Sequence, residues 1–191
     1  MLEQRTFTII FSIVYISWGL SEVAIGYWLR TKVDAAKDAG TLKLVLRIAY
    51  ASVVVAIFLG LRDDDGILAP VSTAAYVGTM CLLLGMAIRF YAIATLRRFF
   101  TVNVTLREGH RLVRSGPYRW IRHPSYTGSL LSFYGFAIAL QNVLAAIILV
   151  VPITYAFFVR MRVEEQVLRE AFPDEYADYE RATRRLVPFI Y

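Results

Sequence analysis

The chain has little of what a soluble or disulfide-bonded protein requires. Its single cysteine, Cys81, excludes an internal disulfide, and its place in an apolar run indicates a packed thiol rather than a nucleophile. Charged residues make up only 19% of the 191 residues, against about 25% in a typical soluble domain. Hydrophobic residues make up 58%, which is more apolar surface than one soluble core of this size can bury. These proportions indicate an integral membrane protein.

Two further classes are disfavoured by what is missing. The chain has only two histidines, His110 and His123, and neither has cysteine or carboxylate neighbours at metal-ligand spacing, so we expect no metal site. The net charge of +6 could suggest a nucleic-acid partner, but no motif supports one, and we expect none. The N-terminal residues lack a small-residue cleavage site, so we expect no removed signal peptide.

Long apolar runs predict an all-α protein with five transmembrane helices. The runs are each close to the length that crosses a bilayer, and they cover about residues 6–29, 42–61, 70–96, 125–140 and 143–159. Only Gln141 and Asn142 separate the last two, which predicts a helical hairpin. The polar segments are too short to form a domain of their own, so we expect residues 1–191 to be a single membrane domain.

The C-terminal tail, from Arg160 onward, is predicted to be helical and cytoplasmic. Apolar residues recur at helical spacing after Arg160, so the fifth helix should continue beyond the bilayer. The sequence Phe172-Pro173-Asp174 should break it, and residues 175–184 should form a second short helix.

The basic residues predict the orientation of these helices. Seventeen of the 21 Lys and Arg residues fall on one side of the five predicted spans and only two on the other. Cytoplasmic loops carry the excess of positive charge in membrane proteins. We therefore expect the N-terminus outside or in a lumen, and the C-terminus in the cytoplasm.

Three ionisable residues lie inside the predicted spans, namely Glu22, Arg47 and Arg89. Such residues are expensive in a bilayer and usually face the interior of the bundle. Glu22 could pair with either arginine. We expect the two arginines instead to extend their side chains to the cytoplasmic surface.

The segment 109–128 is the densest group of residues suited to chemistry, and it precedes the fourth predicted span. Its glycines and prolines prevent a continuous helix. His123 is pushed toward an extended backbone by Pro124, and Ser125 stands where an N-cap would begin the next helix. Irregular backbone at the mouth of a span is tolerated where it lines a cavity. A basic and aromatic interfacial loop with no ligand is the alternative.

A second group follows the last span. Arg160 and Glu164 are four residues apart and therefore share one face of a helix. They could be solvated charges just below the bilayer. Their position directly after a span favours side chains that face the preceding polar segment.

At these positions the sequence resembles the isoprenylcysteine carboxyl methyltransferase family of integral membrane enzymes. The resemblance is carried by GHRLVRSGPYRWIRHPSYTG, then RMRVEEQVL, and then FPDEYADYERATRRLVPF. It covers roughly residues 103–189, the expected catalytic region, whereas the first hundred residues are similar only in their pattern of spans. The combination of GPY, RHPSY, a downstream EE pair and EYADY is specific.

The resemblance implies that S-adenosylmethionine is the cofactor, held in a pocket that faces the cytoplasm. The residues implied as cofactor contacts are Asn103 (where relatives carry glutamine), His110, Leu112, Val113, Tyr118, His123, Pro124, Ser125, Tyr126 and Glu164. Arg160 falls where the family has an arginine on the acceptor side, so Arg160 and Glu164 are the implied catalytic residues. The planar fork of Arg160 suits a carboxylate, and Glu164 can accept hydrogen bonds from cofactor hydroxyl or amino groups.

We therefore expect a membrane methyltransferase that acts on a lipophilic acceptor entering from the bilayer. The acceptor that the resemblance favours is the C-terminal carboxylate of a prenylated cysteine, which is ionised near neutral pH and needs no general base. Phospholipid amines and other lipid acids stay open. The alternatives are an NADPH-dependent reductase of sterol or other lipid double bonds, and a non-catalytic protein whose basic face binds anionic membrane lipids.

Overall fold

The structure is a computed structural model that describes residues 2–28, 38–62, 72–102, 104, 109, 111–188 and 190. Its helices are α1 (Leu2–Trp28), α2 (Thr41–Arg62), α3 (Thr73–Leu96), α4 (Pro124–Ala139), α5 (Val143–Ala171) and α6 (Pro173–Ala182). Short 3₁₀ turns follow at Arg97–Phe99 and Gly116–Arg119. Within these residues the only strand-like pairing is an isolated parallel bridge between Ile121 and Arg184. The all-α prediction is confirmed.

Four of the helical segments are long and apolar enough to cross a membrane. They are Ile9–Trp28, Thr41–Leu61, Thr73–Phe99 and Val143–Ala171. Large apolar side chains such as Ile13, Leu20 and Met80 are exposed on them, which in water would be a severe cost but in lipid is ordinary. The chain is thus an integral membrane protein. The predicted fourth span is α4, a helix of 16 residues, and the count of five spans stays a prediction.

Helices α3 and α4 approach each other to backbone contact. Gly78 of α3 faces Gly135 of α4, and Gly85 faces Gly128 one heptad further along. A Cβ atom built on Gly128 would lie 2.5 Å from the carbonyl oxygen of Gly85. Small residues permit such close approach in membrane helices, where van der Waals packing drives association. The glycines therefore set the distance between α3 and α4.

Helix α5 begins directly after α4 and extends well past the predicted span. The turn contains Gln141 with a positive φ of 55°, and the Asn142 side chain accepts a hydrogen bond from Ala145 N at 2.7 Å. The helix break at Gln141 and Asn142 is confirmed, whereas a transmembrane hairpin stays a prediction. The continuation of α5 beyond residue 160 and the break at Phe172 are confirmed.

The tail after α6 folds back onto the segment that leads into α4. The backbone N–H of Arg122 donates to the Arg184 carbonyl at 2.7 Å, and that of His123 donates to the Arg185 carbonyl at 3.0 Å. Thr127 Oγ1 donates to the Leu186 carbonyl at 2.8 Å. The irregular backbone before Pro124 thus finds its partners in the last residues of the chain.

We expect Gly128→Ala to lower the midpoint of thermal unfolding in detergent clearly, because its methyl group would meet the α3 backbone. Overpacking of this kind costs roughly 1–3 kcal/mol. Gly19→Ala is the matched control, since a Cβ there meets nothing within 4 Å. Equal midpoints for the two variants would contradict the close packing of α3 on α4.

Candidate active site

A cavity of about 480 Å³ lies among α1, α2, α4, α5 and the segment before α4. One part of its wall is apolar and comes mostly from the membrane helices, with Val23, Val45, Leu46, Ala49, Phe133 and Phe157. The other part is polar, with Tyr118, His123, Ser125, Tyr126, Arg160 and Glu164. An apolar chain and a polar reacting group could therefore occupy one continuous space.

The structure brings most of the sequence-predicted site residues to this cavity. Those that line it are Leu112, Val113, Tyr118, His123, Ser125, Tyr126, Arg160 and Glu164. Pro124 is buried as the first residue of α4 and is not part of the lining. Asn103 and His110 lie outside the described residues.

The start of α4 differs from the sequence prediction. Ser125 does not cap the helix; the N-cap position is His123, without a side-chain hydrogen bond, and Pro124 is the first helical residue. Proline suits that position because its fixed φ is already helical and its missing N–H would have no partner there. The Ser125 hydroxyl is therefore free to accept a hydrogen bond from Arg89 Nη1 at 3.2 Å.

Tyr126 connects Arg160 to Glu164. Its hydroxyl donates to Glu164 Oε2 at 2.6 Å and accepts from Arg160 Nε at 3.0 Å. The predicted Arg160 and Glu164 pair therefore lies on one side of α5, as expected, but a phenol mediates the contact. The Glu164 side chain is 33% exposed, and its other carboxylate oxygen has no hydrogen bond to the described residues. That oxygen can accept from a ligand.

Arg160 has further partners that sequence reasoning missed. Its Nη1 donates to Asp38 Oδ1 and to Thr41 Oγ1, both at 3.0 Å, and its Nη2 donates to the Val102 carbonyl. The residue is only 4% exposed. Together with the bond to Tyr126, four hydrogen bonds leave one of the five N–H groups for a ligand.

Asp38 holds this corner together just before α2. Its Oδ1 also accepts from Val104 N at 3.0 Å, and its Oδ2 accepts from Leu42 N at 2.9 Å. The carboxylate thus joins the start of α2, the segment after α3 that contains Val104, and α5. It lies 122 positions before Arg160, and no sequence spacing could have paired the two.

Glu165 is the most completely enclosed charge, with a side chain that is 0% exposed. Its Oε1 accepts from Arg122 Nε at 3.2 Å and from Arg185 Nε at 3.1 Å, and it lies 3.2 Å from His123 Nε2. Its Oε2 accepts from Arg185 Nη2 at 2.8 Å. In the sequence, Glu165 is distinguished only as the second residue of the EE pair. The structure gives it the separate task of joining α5, the His123 segment and the tail.

Arg89 pairs with Glu22, so the expectation that its side chain extends to the membrane surface is wrong. Its Nε and Nη2 each lie 2.8 Å from a Glu22 carboxylate oxygen, and its Nη1 donates to Ser129 Oγ at 2.5 Å. The close approach of α3 to α4 places the guanidinium beside the serine hydroxyls, where these hydrogen bonds offset its desolvation. Arg47, in contrast, is exposed.

Tyr118 presents its hydroxyl to the cavity from the turn before α4. Burial, reinforced by the nearby charge of Glu164, raises the pKa of the Tyr118 phenol. The Tyr179 hydroxyl fixes the same turn by donating to the Tyr118 carbonyl at 2.7 Å. Because the Tyr118 hydroxyl stays neutral and has no hydrogen-bond partner among the described residues, it is available as a donor.

The described part of the chain places no three His, Cys, Asp or Glu side chains where they could hold a metal ion.

Comparison with known proteins agrees with the resemblance seen in the sequence. Residues 77–170 match the isoprenylcysteine carboxyl methyltransferase (ICMT) family. A probable protein-S-isoprenylcysteine O-methyltransferase from Oryza sativa subsp. indica is 33% identical over 61% of this chain and 62% of its own. Protein-S-isoprenylcysteine O-methyltransferase B from Arabidopsis thaliana is 36% identical over 59% of this chain and 58% of its own.

A solved structure has the same arrangement of helices. The eukaryotic intramembrane Ras methyltransferase ICMT superposes with a TM-score of 0.65 at 30% identity, over 76% of this chain and 52% of that chain. The present chain thus spans between half and two thirds of the length of these proteins. The family resemblance is confirmed over residues 77–170.

We expect Glu165→Gln to lower the midpoint of thermal unfolding strongly, because it removes the buried carboxylate charge that Arg122, His123 and Arg185 share. Breaking a buried ion pair costs roughly 3–5 kcal/mol. Glu170→Gln makes the same change at an exposed position of α5 and should change stability by no more than about 0.5 kcal/mol. Similar midpoints for both variants would remove the structural role of Glu165.

Proposed function

We propose that this chain, a relative of the isoprenylcysteine carboxyl methyltransferases over residues 77–170, is a membrane methyltransferase. It would move a methyl group from S-adenosylmethionine to a lipophilic carboxylate. The observation that carries the proposal is the cavity that has the motif residues at its polar part and apolar side chains of membrane helices along the rest. A soluble substrate would not need the apolar part of the cavity.

The residues present fit S-adenosylmethionine as the donor. This cofactor carries a positive sulfonium, an amino group and sugar hydroxyls, and its chemistry is to supply an electrophilic methyl group. The unpaired oxygen of Glu164 can accept from the amino or hydroxyl groups, and the free hydroxyl of Tyr118 can donate. Leu112, Val113 and the stacked rings of His123 and Tyr126, whose centroids lie 5.3 Å apart, offer apolar and aromatic surface. Asn103 and His110 stay proposed contacts through the resemblance alone.

The chain's own residues have to orient the acceptor and exclude water. A carboxylate acceptor is ionised near neutral pH and needs no base, so the rate depends on positioning. The remaining N–H of Arg160 can donate a hydrogen bond to one oxygen of the acceptor carboxylate. Asp38, Thr41 and Tyr126 hold the guanidinium in place. Arg160 and Glu164 are thus the proposed catalytic residues, on the acceptor and donor sides of the cavity.

The proposed acceptor is the C-terminal carboxylate of a prenylated cysteine. Relatives named for S-isoprenylcysteine O-methylation support this choice. The apolar wall from α1 and α2 suits an isoprenoid chain that enters from the bilayer, because every residue of that wall belongs to a membrane helix. The alternative, an NADPH-dependent reductase, gains no support from these matches.

The topology that accompanies this function has five spans, with α4 and α5 as a hairpin. The N-terminus would lie outside or in a lumen. The C-terminus and the polar part of the cavity would face the cytoplasm, because seventeen basic residues lie on that side of the predicted spans. A cytoplasmic opening gives the cavity access to soluble S-adenosylmethionine.

We expect purified protein in detergent to bind S-adenosylhomocysteine saturably and NADPH not at all, as measured by calorimetric titration. Glu164→Gln should weaken S-adenosylhomocysteine binding about 10- to 100-fold, because a hydrogen bond to a charged group contributes about 1.5–3 kcal/mol. Glu170→Gln, with the same charge change outside the cavity, should bind as the unchanged protein does. Saturable binding of NADPH alone would favour the reductase and overturn the proposal.

We expect Arg160→Lys to reduce methyl transfer to a farnesylated cysteine acceptor at least tenfold, because an ammonium cannot hold Tyr126, Asp38, Thr41 and the acceptor together. The measurement is methyl transfer from labelled S-adenosylmethionine, with the product identified by mass spectrometry. Arg162→Lys is the control on an exposed face of α5. Full activity of the Arg160 variant would contradict the proposed role of Arg160. If the cysteine carboxylate stayed unmethylated while another lipid was methylated, the proposed acceptor would be wrong.

A further inference from the structure

A second cavity, of about 680 Å³, lies at the end of α3 and shares Leu96, Phe99, Arg111 and Val113 with the lining of the candidate active site. We call it the α3-end pocket. Its lining consists of Tyr91, Ala94, Thr95, Leu96, Arg97, Arg98, Phe99, Arg111, Val113 and Ser115. Three of these residues are arginines, two carry aliphatic hydroxyls, and none is acidic. The proposed methyl transfer uses none of its arginines.

The three guanidiniums have no acidic partner among the residues that the structure describes. Arg97, Arg98 and Arg111 are exposed. Arg98 and Arg111 both lie over the ring of Phe99, at 4.9 Å and 5.8 Å from its centroid. A cation–π contact attracts each guanidinium to the ring without neutralising its charge. The pocket therefore concentrates positive charge.

Backbone conformation shapes the floor of this pocket. Arg97 ends α3 with a positive φ of 51°, which turns the chain sharply at the pocket. Gly116 has a φ of 57°, and a Cβ there would lie 3.1 Å from the Thr95 side chain. The turn at Ser115 and Gly116 is thus pressed against the last turn of α3. Thr95 and Ser115 bring their hydroxyls to the same pocket.

An apolar stripe leads along α3 to the pocket. Tyr76, Met80, Leu84 and Tyr91 are exposed and recur at helical spacing, so they lie on one face of the helix. That face would contact lipid chains in a bilayer, and Tyr91 belongs both to the stripe and to the pocket lining. Apolar surface therefore continues directly into the arginine cluster.

We propose that the α3-end pocket binds the phosphate headgroup of an anionic phospholipid whose acyl chains lie along this stripe. Arginine is well suited to phosphate because its planar fork donates two parallel hydrogen bonds, and basic pockets beside membrane helices are suited to anionic headgroups. The continuity of stripe and pocket favours a lipid over a soluble phosphate. This proposal goes beyond the methyl transfer and does not depend on it.

The test is native mass spectrometry of the full chain in detergent with equal amounts of phosphatidylglycerol and phosphatidylcholine. The unchanged protein should carry phosphatidylglycerol at least tenfold more often than phosphatidylcholine. The triple variant Arg97→Gln, Arg98→Gln and Arg111→Gln should lose that preference. Because the experiment measures lipid binding, its result is independent of whether the protein transfers methyl groups. Equal binding of both lipids by the unchanged protein would overturn the proposal.

A matched variant distinguishes the pocket from general positive charge. Arg162→Gln, Arg181→Gln and Arg184→Gln together remove the same charge from exposed positions that do not line the pocket, and this variant should keep the preference. An equal loss in both triple variants would overturn the proposal.

Two further measurements keep the test decisive. Because Arg111 also lines the candidate active site, the pair Arg97→Gln and Arg98→Gln provides a milder variant, whose preference should fall at least threefold if the triple variant unfolds. An unchanged preference in this pair would count against the pocket. Glycerol 3-phosphate should not displace the lipid at equal concentration; complete displacement would identify a site for soluble anions and overturn the lipid assignment.

Discussion

The candidate site depends on one buried carboxylate. Glu165 has no contact with solvent, and its charge is stabilised by Arg122, Arg185 and His123, with Arg169 of α5 also 3.4 Å away. The first three partners come from outside α5, so the carboxylate joins the helix to the segment before α4 and to the C-terminal tail. Glu164, the next residue, is thereby held at the cavity. Glu165 supports the architecture, whereas Glu164 keeps one carboxylate oxygen without a hydrogen bond to the described residues.

A second constraint acts from the opposite side of the cavity. The glycine pairs of α3 and α4 bring the two backbones into contact, and Arg89 of α3 is then close enough to reach the serines of α4 as well as Glu22 of α1. Three helices are tied by hydrogen bonds in a region where water cannot supply them. The start of α4, with Ser125 and Tyr126, is consequently rigid on both sides.

Local chemistry made much of this predictable. Apolar runs located the membrane helices to within a few residues, and α5 ended near its predicted break at Pro173. The expected absence of a continuous helix in the segment 109–128 holds for residues 111–123, whereas α4 begins at Pro124. The motif residues that were grouped by resemblance do meet at one cavity, apart from Pro124 and the two that are not described. The N-cap at Ser125 was wrong because proline took the first helical position and the N-cap lies two residues earlier, at His123. The expected exposure of Arg89 was wrong; pairing with Glu22 had been left open as an alternative, and spacing alone could not decide between the two.

What the sequence by itself determined is therefore the membrane environment, the order of the helices and most of the residues that line the candidate site, since hydrophobicity, proline and short motifs act over neighbouring residues. The tertiary structure alone decided which charges meet. Asp38 reaches Arg160 across 122 positions and Arg89 reaches Glu22 across 67, because helix packing brings together side chains whose separation along the chain carries no periodic signal. The tertiary structure also decided that Glu165 is enclosed and that Glu164 lines the cavity. Which of them faces the cavity depends on the rotation of α5 against its neighbours, and only packing sets that rotation.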